Sequence, residues 1–312
     1  MNPQAWQPIP DDESLWQRFE RDFEFRLEHQ RGAGAAIREP AGSVTFDLSP
    51  IFRTGDQEVF DAGENRLNDE VLDAFRRVFA EDLILLDWQH TTYRLSPRQL
   101  VTPVRDWHVL PFPNGDYHMF LTEDMGQGTF GHPWEQTLCV FGPDLVADLA
   151  PRLSTWLPVK RLATQRLSLH RVSMDDLDEF IALHAVEDKP RPVEQTTRLL
   201  RDFCAVWESG EHGYWKIVFG DRTAGFGGVK PKTWRGRHVW NLYYRIWPDL
   251  QGKGLATETA RAAISVAAQR HPDWPVLVET RPDNAAAIKV AEGAGMTRHP
   301  DADGWAVFLL GD

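Results

Sequence analysis

The chain has 312 residues, enough for two domains at about 150 residues each. Hydrophobic residues make up 42% of it and aromatic residues 11%, so the chain can build packed cores and is not a disordered or fibrous protein. The net charge of −12 argues against a general nucleic-acid-binding protein, because an acidic surface repels phosphates.

The negative charge is confined to one half of the sequence. Residues 1–160 hold 26 acidic and 14 basic residues, whereas residues 161–312 hold 20 of each. We therefore predict an acidic accessory domain over residues 1–155 and a second domain over residues 156–312. An acidic half favours a cationic partner, although an acidic surface that only keeps the protein soluble is the simpler interpretation.

Cysteine content and the N-terminus indicate the compartment. Cys139 and Cys204 are the two cysteines, and no basic, apolar leader opens the chain, which predicts free thiols in a reducing cytoplasm. No apolar run approaches the ~18–20 residues of a membrane helix. We expect a cytoplasmic protein without a membrane partner, and the sequence leaves a homo-oligomer open.

The first half predicts helices followed by short strands. Apolar residues at helical spacing predict helices near residues 15–23 and 68–79, whereas Pro151 and Pro158 interrupt any helix. An Asn-Gly pair at Asn114 is typical of a hairpin. The predicted strands are Leu83–Trp88, Trp107–Phe112, Tyr117–Leu121 and Thr137–Phe141. Together these elements indicate a small antiparallel α+β domain.

The second half alternates strands and helices, which is typical of an α/β fold with a mixed sheet. The predicted strands are Arg166–Val172, Tyr214–Phe219, Ala224–Lys230, His238–Ile246, Pro275–Thr280 and Trp305–Leu310. The predicted helices are one capped by Ser173, then Val193–Trp207, Leu255–Arg270 and Asn284–Ala294.

One segment of the second half points to anion binding. Gln251-Gly-Lys-Gly-Leu-Ala256 joins a predicted strand to a long predicted helix. Its glycines let backbone N–H groups converge, and the start of a helix adds partial positive charge, which suits a pyrophosphate. The spacing fits neither a Walker A loop nor a Rossmann fingerprint, and the turn alone is equally typical of a plain strand–helix connection.

Gln251–Ala256 resembles the Gln/Arg-x-x-Gly-x-Gly/Ala signature of the GCN5-related N-acetyltransferases (GNAT). Residues 278–296 resemble that family's second cofactor motif, particularly in its ribosomal-protein N-acetyltransferase branch, and the resemblance spans about residues 164–310. It implies a bacterial enzyme with a mixed, splayed central sheet that transfers an acetyl group from acetyl-CoA to an amine, on a small molecule or a protein N-terminus. A degenerate GNAT domain that holds acyl-CoA as a sensor is the alternative.

The resemblance implies which residues bind the cofactor. Backbone N–H groups from Gln251 to Ala256 would hold the coenzyme A pyrophosphate, and the end of the preceding strand would pair with the pantetheine arm. Asn284 would bond the pantetheine, cap its own helix, or do both. The full set of expected cofactor-binding residues is Tyr244, Arg245, Ile246, Gln251, Gly252, Lys253, Gly254, Leu255, Ala256 and Asn284.

The same resemblance suggests catalytic groups. Glu279 occupies the position of the general base, although a half-exposed glutamate paired with an arginine is an equally good interpretation. A backbone N–H at Tyr243 or Tyr244 would polarise the thioester carbonyl. Ala291 stands where the family has a tyrosine that acts as the general acid. Either Tyr243 or Tyr244 takes over that role, or the coenzyme A thiolate leaves without being protonated by such a group. No metal is expected, and the acceptor is expected to be a cationic amine. We expect its entrance to be lined by the linker His184–Gln195, which carries Glu187 and Asp188, and by the aromatic residues Trp234, Trp240, Tyr243 and Tyr244.

Segments of the first half resemble a bacterial family of unknown function over about residues 10–147. They are Leu86–His90, Asn114–Tyr117 and Gly128–Glu135. This resemblance implies no activity. Asp87, His90, His132 and Glu135 are metal-ligand types, but no pair has the spacing of a known zinc site, so we expect hydrogen-bonded structural side chains.

Overall fold

A computed structural model describes residues 5–27, 36–100, 108–186 and 191–311. The chain forms two compact units, Met1–Ala163 and Thr164–Asp312. The division falls eight residues after the expected boundary at residue 155. The reason is that the strand Val159–Ala163 pairs antiparallel with the strand Val44–Asp47 and so belongs to the first unit.

The N-terminal unit is an antiparallel sheet with helices packed against it, as the sequence predicts. Its strands are β1 (Trp6–Pro8), β2 (Val44–Asp47), β3 (Leu83–Asp87), β4 (Tyr93–Leu95), β5 (His118–Leu121), β6 (Gly128–His132), β7 (Thr137–Phe141) and β8 (Val159–Ala163). Its helices are α1 (Glu13–Phe23), α2 (Ser49–Phe52), α3 (Gln57–Val78) and α4 (Pro143–Leu153). Within this unit the strand order is β1-β4-β3-β5-β6-β7-β2-β8.

Both faces of this sheet are buried. Leu85 and Phe120 pack in one apolar cluster with Phe75 of α3, whereas Ile84 and Met119 pack in a second cluster with Phe19 of α1. Because successive side chains of a strand point to opposite faces, a strand buried on both sides reads as a continuous apolar run. This explains why Leu83–Leu86 shows no polar alternation.

The predicted hairpin at Asn114 is wrong for the described residues. Trp107 lies outside them, and residues 108–112 form no strand. Strand β5 already pairs with β3 on one edge and β6 on the other, so neither edge is free for a hairpin partner. The Phe112 N–H instead donates to Asn68 Oδ1 at 2.9 Å.

Two helices of this unit also differ from the prediction. Asp56 accepts hydrogen bonds from the N–H groups of Glu58 and Val59, so α3 begins eleven residues before the predicted Asn68. Pro151 does not prevent α4, because it lies in the last turn, where a missing N–H removes one helical hydrogen bond.

The C-terminal unit contains a mixed sheet, which confirms the predicted fold class. Its strands are β9 (Leu167–Arg171), β10 (Tyr214–Phe219), β11 (Arg222–Trp234), β12 (Arg237–Ile246), β13 (Val276–Thr280), β14 (Thr297–Ala302) and β15 (Trp305–Leu310). Its helices are α5 (Leu177–Ala185), α6 (Val193–Glu208), α7 (Leu255–Arg270) and α8 (Ala285–Gly293). The strand order is β9-β10-β11-β12-β13-β15-β14, and β12 pairs with β13 in parallel.

Strands β12 and β13 separate soon after they meet. Their register joins Trp240 with Val276 and Asn241 with Leu277, whereas β12 continues to Ile246 beside β11. The end of β12 therefore has one edge that faces the opening between the strands. Among the described residues, no helix has both the length and the apolar character needed to cross a membrane.

Candidate functional site

A cavity of about 470 Å³ lies beside the end of β12, beyond the last residue of that strand that pairs with β13. Its walls are the end of β12, the loop into α7, the first two turns of α8, and Leu183 and Val186 from α5 and its end. The expected cofactor-binding residues on the wall are Tyr244, Arg245, Ile246, Gln251, Gly252, Gly254, Leu255, Ala256 and Asn284. Lys253, whose side chain is exposed, is not part of the wall.

The loop into α7 has the backbone conformation of an anion cradle. Gly252 (φ 76°) and Gly254 (φ 79°) both lie in the left-handed region, which glycine adopts without strain. Gly254 is the N-cap of α7 and offers no side chain to the helix. The first N–H groups of α7 have no intrahelical partner and carry the positive end of the helix dipole, so they suit a bound anion.

Side chains hold this loop in place. Gln251 Nε2 donates to the Ile246 carbonyl at 3.0 Å. Glu258 accepts hydrogen bonds from Thr164 Oγ1 at 2.6 Å and from the Arg166 backbone N–H at 2.9 Å, and Arg166 also donates to the Lys253 carbonyl. Burial raises the pKa of Glu258, but these hydrogen bonds outweigh it and lower the pKa below the usual value. Glu258 therefore holds Thr164 and Arg166 against the start of α7 and does not serve as a proton acceptor.

The start of α8 is tied to β12 through Tyr244. Asn284 Oδ1 accepts from the Ala287 N–H at 3.1 Å and caps the helix, while the Tyr244 hydroxyl donates to the Ala287 carbonyl at 2.8 Å. Burial raises the pKa of the Tyr244 hydroxyl, so it stays protonated at neutral pH. Ala291 is fully buried one turn further along the helix. The Tyr244 side chain therefore lies at the cavity wall and contacts α8, the helix in which Ala291 stands at the position of the expected tyrosine.

Tyr243 points to the other face of the sheet. Its ring packs against Phe203 and Tyr214, and its hydroxyl lies 3.5 Å from His184 Nε2. Burial raises its pKa. Of the two tyrosines expected at the reaction centre, the cavity wall therefore includes Tyr244 and not Tyr243.

His184 begins the linker expected at the acceptor entrance, but the sequence alone assigns no role to its side chain. Its Nδ1 lies 2.8 Å from the Phe180 carbonyl of the same helix, which assigns the proton to Nδ1 and leaves Nε2 as an acceptor toward Tyr243. Burial lowers the pKa of His184 to about 4, so the imidazole is neutral at pH 7. In the sequence, His184 looks like any other residue on the buried face of a predicted helix. Its position at the start of the linker is the one sequence feature that could have pointed to the site.

Glu279 lies near the end of β13 with both carboxylate oxygens engaged. Oε1 accepts from Trp234 Nε1 at 3.0 Å, and Oε2 pairs with Lys232 Nζ. It faces the same side of the sheet as Leu277 and therefore as Asn241 and Tyr243, but it is not part of the cavity wall. Its ionic partner is a lysine, not the arginine expected.

The expected aromatic entrance does not form one surface. Trp240 is fully buried against Trp274, whereas the ring of Trp234 lies 4.7 Å from the Arg235 guanidinium and 5.3 Å from that of Arg237. The aromatic side chains follow β11 and β12 on alternate faces and therefore separate. The carboxylates expected beside them, Glu187 and Asp188, lie outside the described residues.

Family comparisons agree with the geometry. Residues 166–297 match the acetyltransferase (GNAT) domain. This likeness to the GNAT family extends over most of the C-terminal half of the chain. Residues 9–146 match a protein family of unknown function, DUF2716, so both resemblances in the sequence are confirmed.

Among curated proteins, the uncharacterized protein YxiI of Bacillus subtilis is 37% identical over 84 residues, which are 26% of this chain. The aligned residues cover 52% of YxiI, so the chain spans about half the length of the curated relative that it matches.

Solved structures align with about half of the chain. An acetyltransferase from Agrobacterium tumefaciens is 22% identical, covers 50% of this chain and 96% of its own, and gives a TM-score of 0.44. The ribosomal L7/L12 alpha-N-protein acetyltransferase RimL, solved in complex with coenzyme A, is 16% identical, covers 48% of this chain and 97% of its own, and gives a TM-score of 0.40.

Proposed function

We propose that this protein is an acetyl-CoA-dependent N-acetyltransferase that acts by direct attack of an amine on the thioester. The observation that supports it best is the cavity beside the end of β12, with the glycine-rich start of α7 at its wall. The loop from Gln251 to Ala256 would hold the coenzyme A pyrophosphate, and the edge of β12 that faces the opening would hydrogen-bond the pantetheine arm.

The register of β12 selects the donor for the thioester carbonyl. The Trp240 N–H donates to the Pro275 carbonyl at 2.9 Å, toward β13. Because N–H groups alternate between the two edges of a strand, the N–H of Tyr244 faces the opening and that of Tyr243 faces β11. We therefore propose the Tyr244 N–H as the group that stabilises negative charge on the carbonyl oxygen.

Proton transfer requires a base for the amine and an acid for the thiolate. Glu279 is the proposed base, and Lys232 and Trp234 hold its carboxylate on the face of the sheet that also carries Tyr243. The neutral His184, behind Tyr243, is the second basic group on that face. The Tyr244 hydroxyl is protonated and lies at the cavity wall. It is the proposed acid, in place of the tyrosine that is expected where this chain has Ala291.

The acceptor is proposed to be an amine that carries net positive charge. This proposal rests on the acidity of residues 1–160, because the sheet face around Tyr243 is not itself anionic. Lys230 lies there with Nζ 5.5 Å from the Phe203 ring centroid and 5.6 Å from that of Tyr214, and Lys232 neutralises Glu279.

Coenzyme A release from acetyl-CoA with a panel of amines tests the function. We expect turnover with at least one amine and a loss of about 10²-fold or more in Glu279→Gln, the usual scale for removal of a general base. Glu292→Gln, on the exposed surface of α8, is the matched control. A large loss in His184→Gln with normal turnover in Glu279→Gln would move the base to His184. Tight acetyl-CoA binding without release by any amine would favour the sensor instead.

A further inference from the structure

Four metal-ligating side chains meet in the N-terminal unit, away from the cavity described above. Asp87, His90 and Asp116 each offer a donor atom within 4.8 Å of the other two, and His118 lies beside Asp87. Asp87, His90 and Asp116 belong to two of the segments that resemble the family of unknown function, and the proposed acetyl transfer uses none of them.

The fold of the sheet brings these residues together. Asp87 ends β3 and His118 begins β5, and the two are direct partners in the antiparallel register. Gln89 has a left-handed backbone (φ 69°), and the turn that it forms returns His90 to within 3.2 Å of Asp87. Asp116 lies two residues before His118. Residues distant in sequence thus converge at one end of two neighbouring strands.

The donor atoms of Asp87, His90 and Asp116 lie within reach of one small cation, and His118 is close to Asp87. His90 Nδ1 lies 3.2 Å from Asp87 Oδ1 and 3.6 Å from Asp116 Oδ2, and His118 Nε2 lies 3.9 Å from Asp87 Oδ1. Zinc bonds to imidazole nitrogen and carboxylate oxygen are about 2.0–2.1 Å, so adjacent ligand atoms of a tetrahedral site are about 3.3–3.4 Å apart. His90 is already near this separation from Asp87 and Asp116. His118 lies outside the group whose donor atoms are all within 4.8 Å of one another, so it has to move toward His90 and Asp116 to complete the site.

The orientation of His118 is that of a metal ligand. Its side chain is nine-tenths buried, and its Nδ1 lies 2.8 Å from the Leu110 carbonyl, which assigns the proton to Nδ1. With the proton on Nδ1, Nε2 presents a lone pair toward Asp87. A lone pair that faces a carboxylate oxygen is repelled unless a cation lies between them. A ligating histidine typically donates its other N–H to a carbonyl in this way.

We propose that Asp87, His90, Asp116 and His118 bind one divalent ion of the zinc class. Two imidazole nitrogens and two carboxylate oxygens are a donor set that Zn²⁺ accepts, and the two carboxylates neutralise its charge. Four protein ligands complete a tetrahedron and leave no open position, so the ion is structural. It joins the end of β3, the turn after it and the start of β5, and thereby stabilises the N-terminal unit.

Without a metal, the same residues would form a hydrogen-bonded cluster. The hydrogen bond and charge of Asp87 raise the pKa of His90, so a protonated His90 could bridge Asp87 and Asp116. A zinc site and a purely hydrogen-bonded cluster predict different metal contents, different affinities for zinc and different effects of zinc on thermal stability.

Zinc titration of the full-length protein, after chelator treatment and dialysis, tests the site. We expect one Zn²⁺ per chain, a thermal midpoint that rises with zinc, and a Co²⁺ form with the strong visible absorption of tetrahedral cobalt. His90→Ala should weaken zinc binding by tenfold or more while the apo protein stays folded, because the His90 side chain is 64% exposed. Asp116→Asn should weaken it likewise, and His299→Ala, in the other unit, should not.

Retention of less than a tenth of an equivalent of zinc, or equal zinc affinity in His90→Ala, Asp116→Asn and His299→Ala, would overturn the proposal. So would a cobalt spectrum typical of an octahedral, hydrated ion.

Discussion

At the scale of single residues, the proposed anion cradle depends on backbone conformation more than on charge. Gly254 has φ 79°, and a Cβ placed there would come only to 3.5 Å from Arg166 Nη2, an ordinary contact. Gly254→Val should therefore act through backbone strain of about 1–3 kcal/mol, which corresponds to roughly 5- to 150-fold in acetyl-CoA affinity if the strain opposes the bound conformation. Lys253→Ala should change the affinity little, because that side chain is exposed and outside the wall.

Calorimetric titration with acetyl-CoA separates these two variants. An unchanged affinity in Gly254→Val, or a larger loss in Lys253→Ala than in Gly254→Val, would contradict an anion cradle made by backbone N–H groups.

The sequence indicated some of these residues better than others. Gln251, Gly254 and Asn284 could be found because glycine spacing and a helix cap are local signals. His184 could not, because its role depends on a contact with Tyr243, 59 residues away along the chain. A buried histidine on a helix looks the same in the sequence whether or not its Nε2 has such a neighbour.

At the scale of elements, α8 connects helix capping with the cavity. Asn284 Oδ1 caps the helix, and the side chain also belongs to the cavity wall. Asn284→Ala should lower the free energy of unfolding by about 1 kcal/mol, the usual cost of losing an N-cap, and should also weaken acetyl-CoA binding. Thermal unfolding and calorimetry measure the two effects.

Asn284→Ser is the matched variant for this prediction, because serine keeps a capping oxygen but loses the amide. If the cap alone matters, the serine variant restores both stability and acetyl-CoA affinity. Restored stability with weak binding would show that the amide contacts the cofactor, and full affinity in Asn284→Ala would exclude both roles in binding.

Elements with strong local patterns were predictable to the residue. The predicted bounds of β10, α7 and β15 agree with the structure. Glycines flank both strands, and Gly254 and Pro272 lie on either side of the helix, so local turn residues mark where each element begins and ends. Strand β6 was not predicted, because its glycines suggest a turn. In the sheet, a Cβ on Gly128 would lie 2.0 Å from the Phe120 carbonyl, so the glycine there permits close strand packing. That requirement comes from a neighbouring strand, not from the local sequence.

The divergence of β12 from β13 illustrates a second limit. Periodicity identifies both strands, but nothing in either one shows that their register ends after two residue pairs. The resemblance to the GNAT family supplied that expectation, because strand pairing depends on the whole sheet and on the helices packed against it.

At the scale of the whole molecule, buried histidines make stability sensitive to acid. Burial lowers the pKa of His118, His132 and His184 to about 4 and that of His212 to about 3. Between pH 6.5 and about pH 4 the unfolded chain binds protons that the folded chain does not. This part of the stability is therefore fully present above pH 6.5 and is lost as the pH falls, by about 1.4 kcal/mol per pH unit for each histidine.

Denaturant unfolding at pH 7.5, 6.5 and 5.5, in the presence of a chelator, measures this dependence. In His184→Gln, the C-terminal unit should take up about one proton fewer on unfolding, so its free energy of unfolding should depend less steeply on pH. Equal free energies of unfolding at pH 5.5 and pH 7.5 would mean that the folded chain binds these protons as readily as the unfolded chain, which would contradict the prediction.

The net charge of −12 leads to the last prediction, which concerns the acceptor. All of the excess negative charge lies in residues 1–160, so a cationic acceptor should be drawn to the molecule by long-range attraction. The Debye length falls from about 30 Å at 0.01 M salt to about 8 Å at 0.15 M, which screens such attraction. We expect kcat/KM to fall several-fold over that range for an acceptor that carries a second ammonium group. A matched acceptor with the same reacting amine but no second charge should change little, because salt effects on coenzyme A binding are common to both acceptors. The same salt response for the two would contradict electrostatic recognition and leave the acidic half as a surface that keeps the protein soluble.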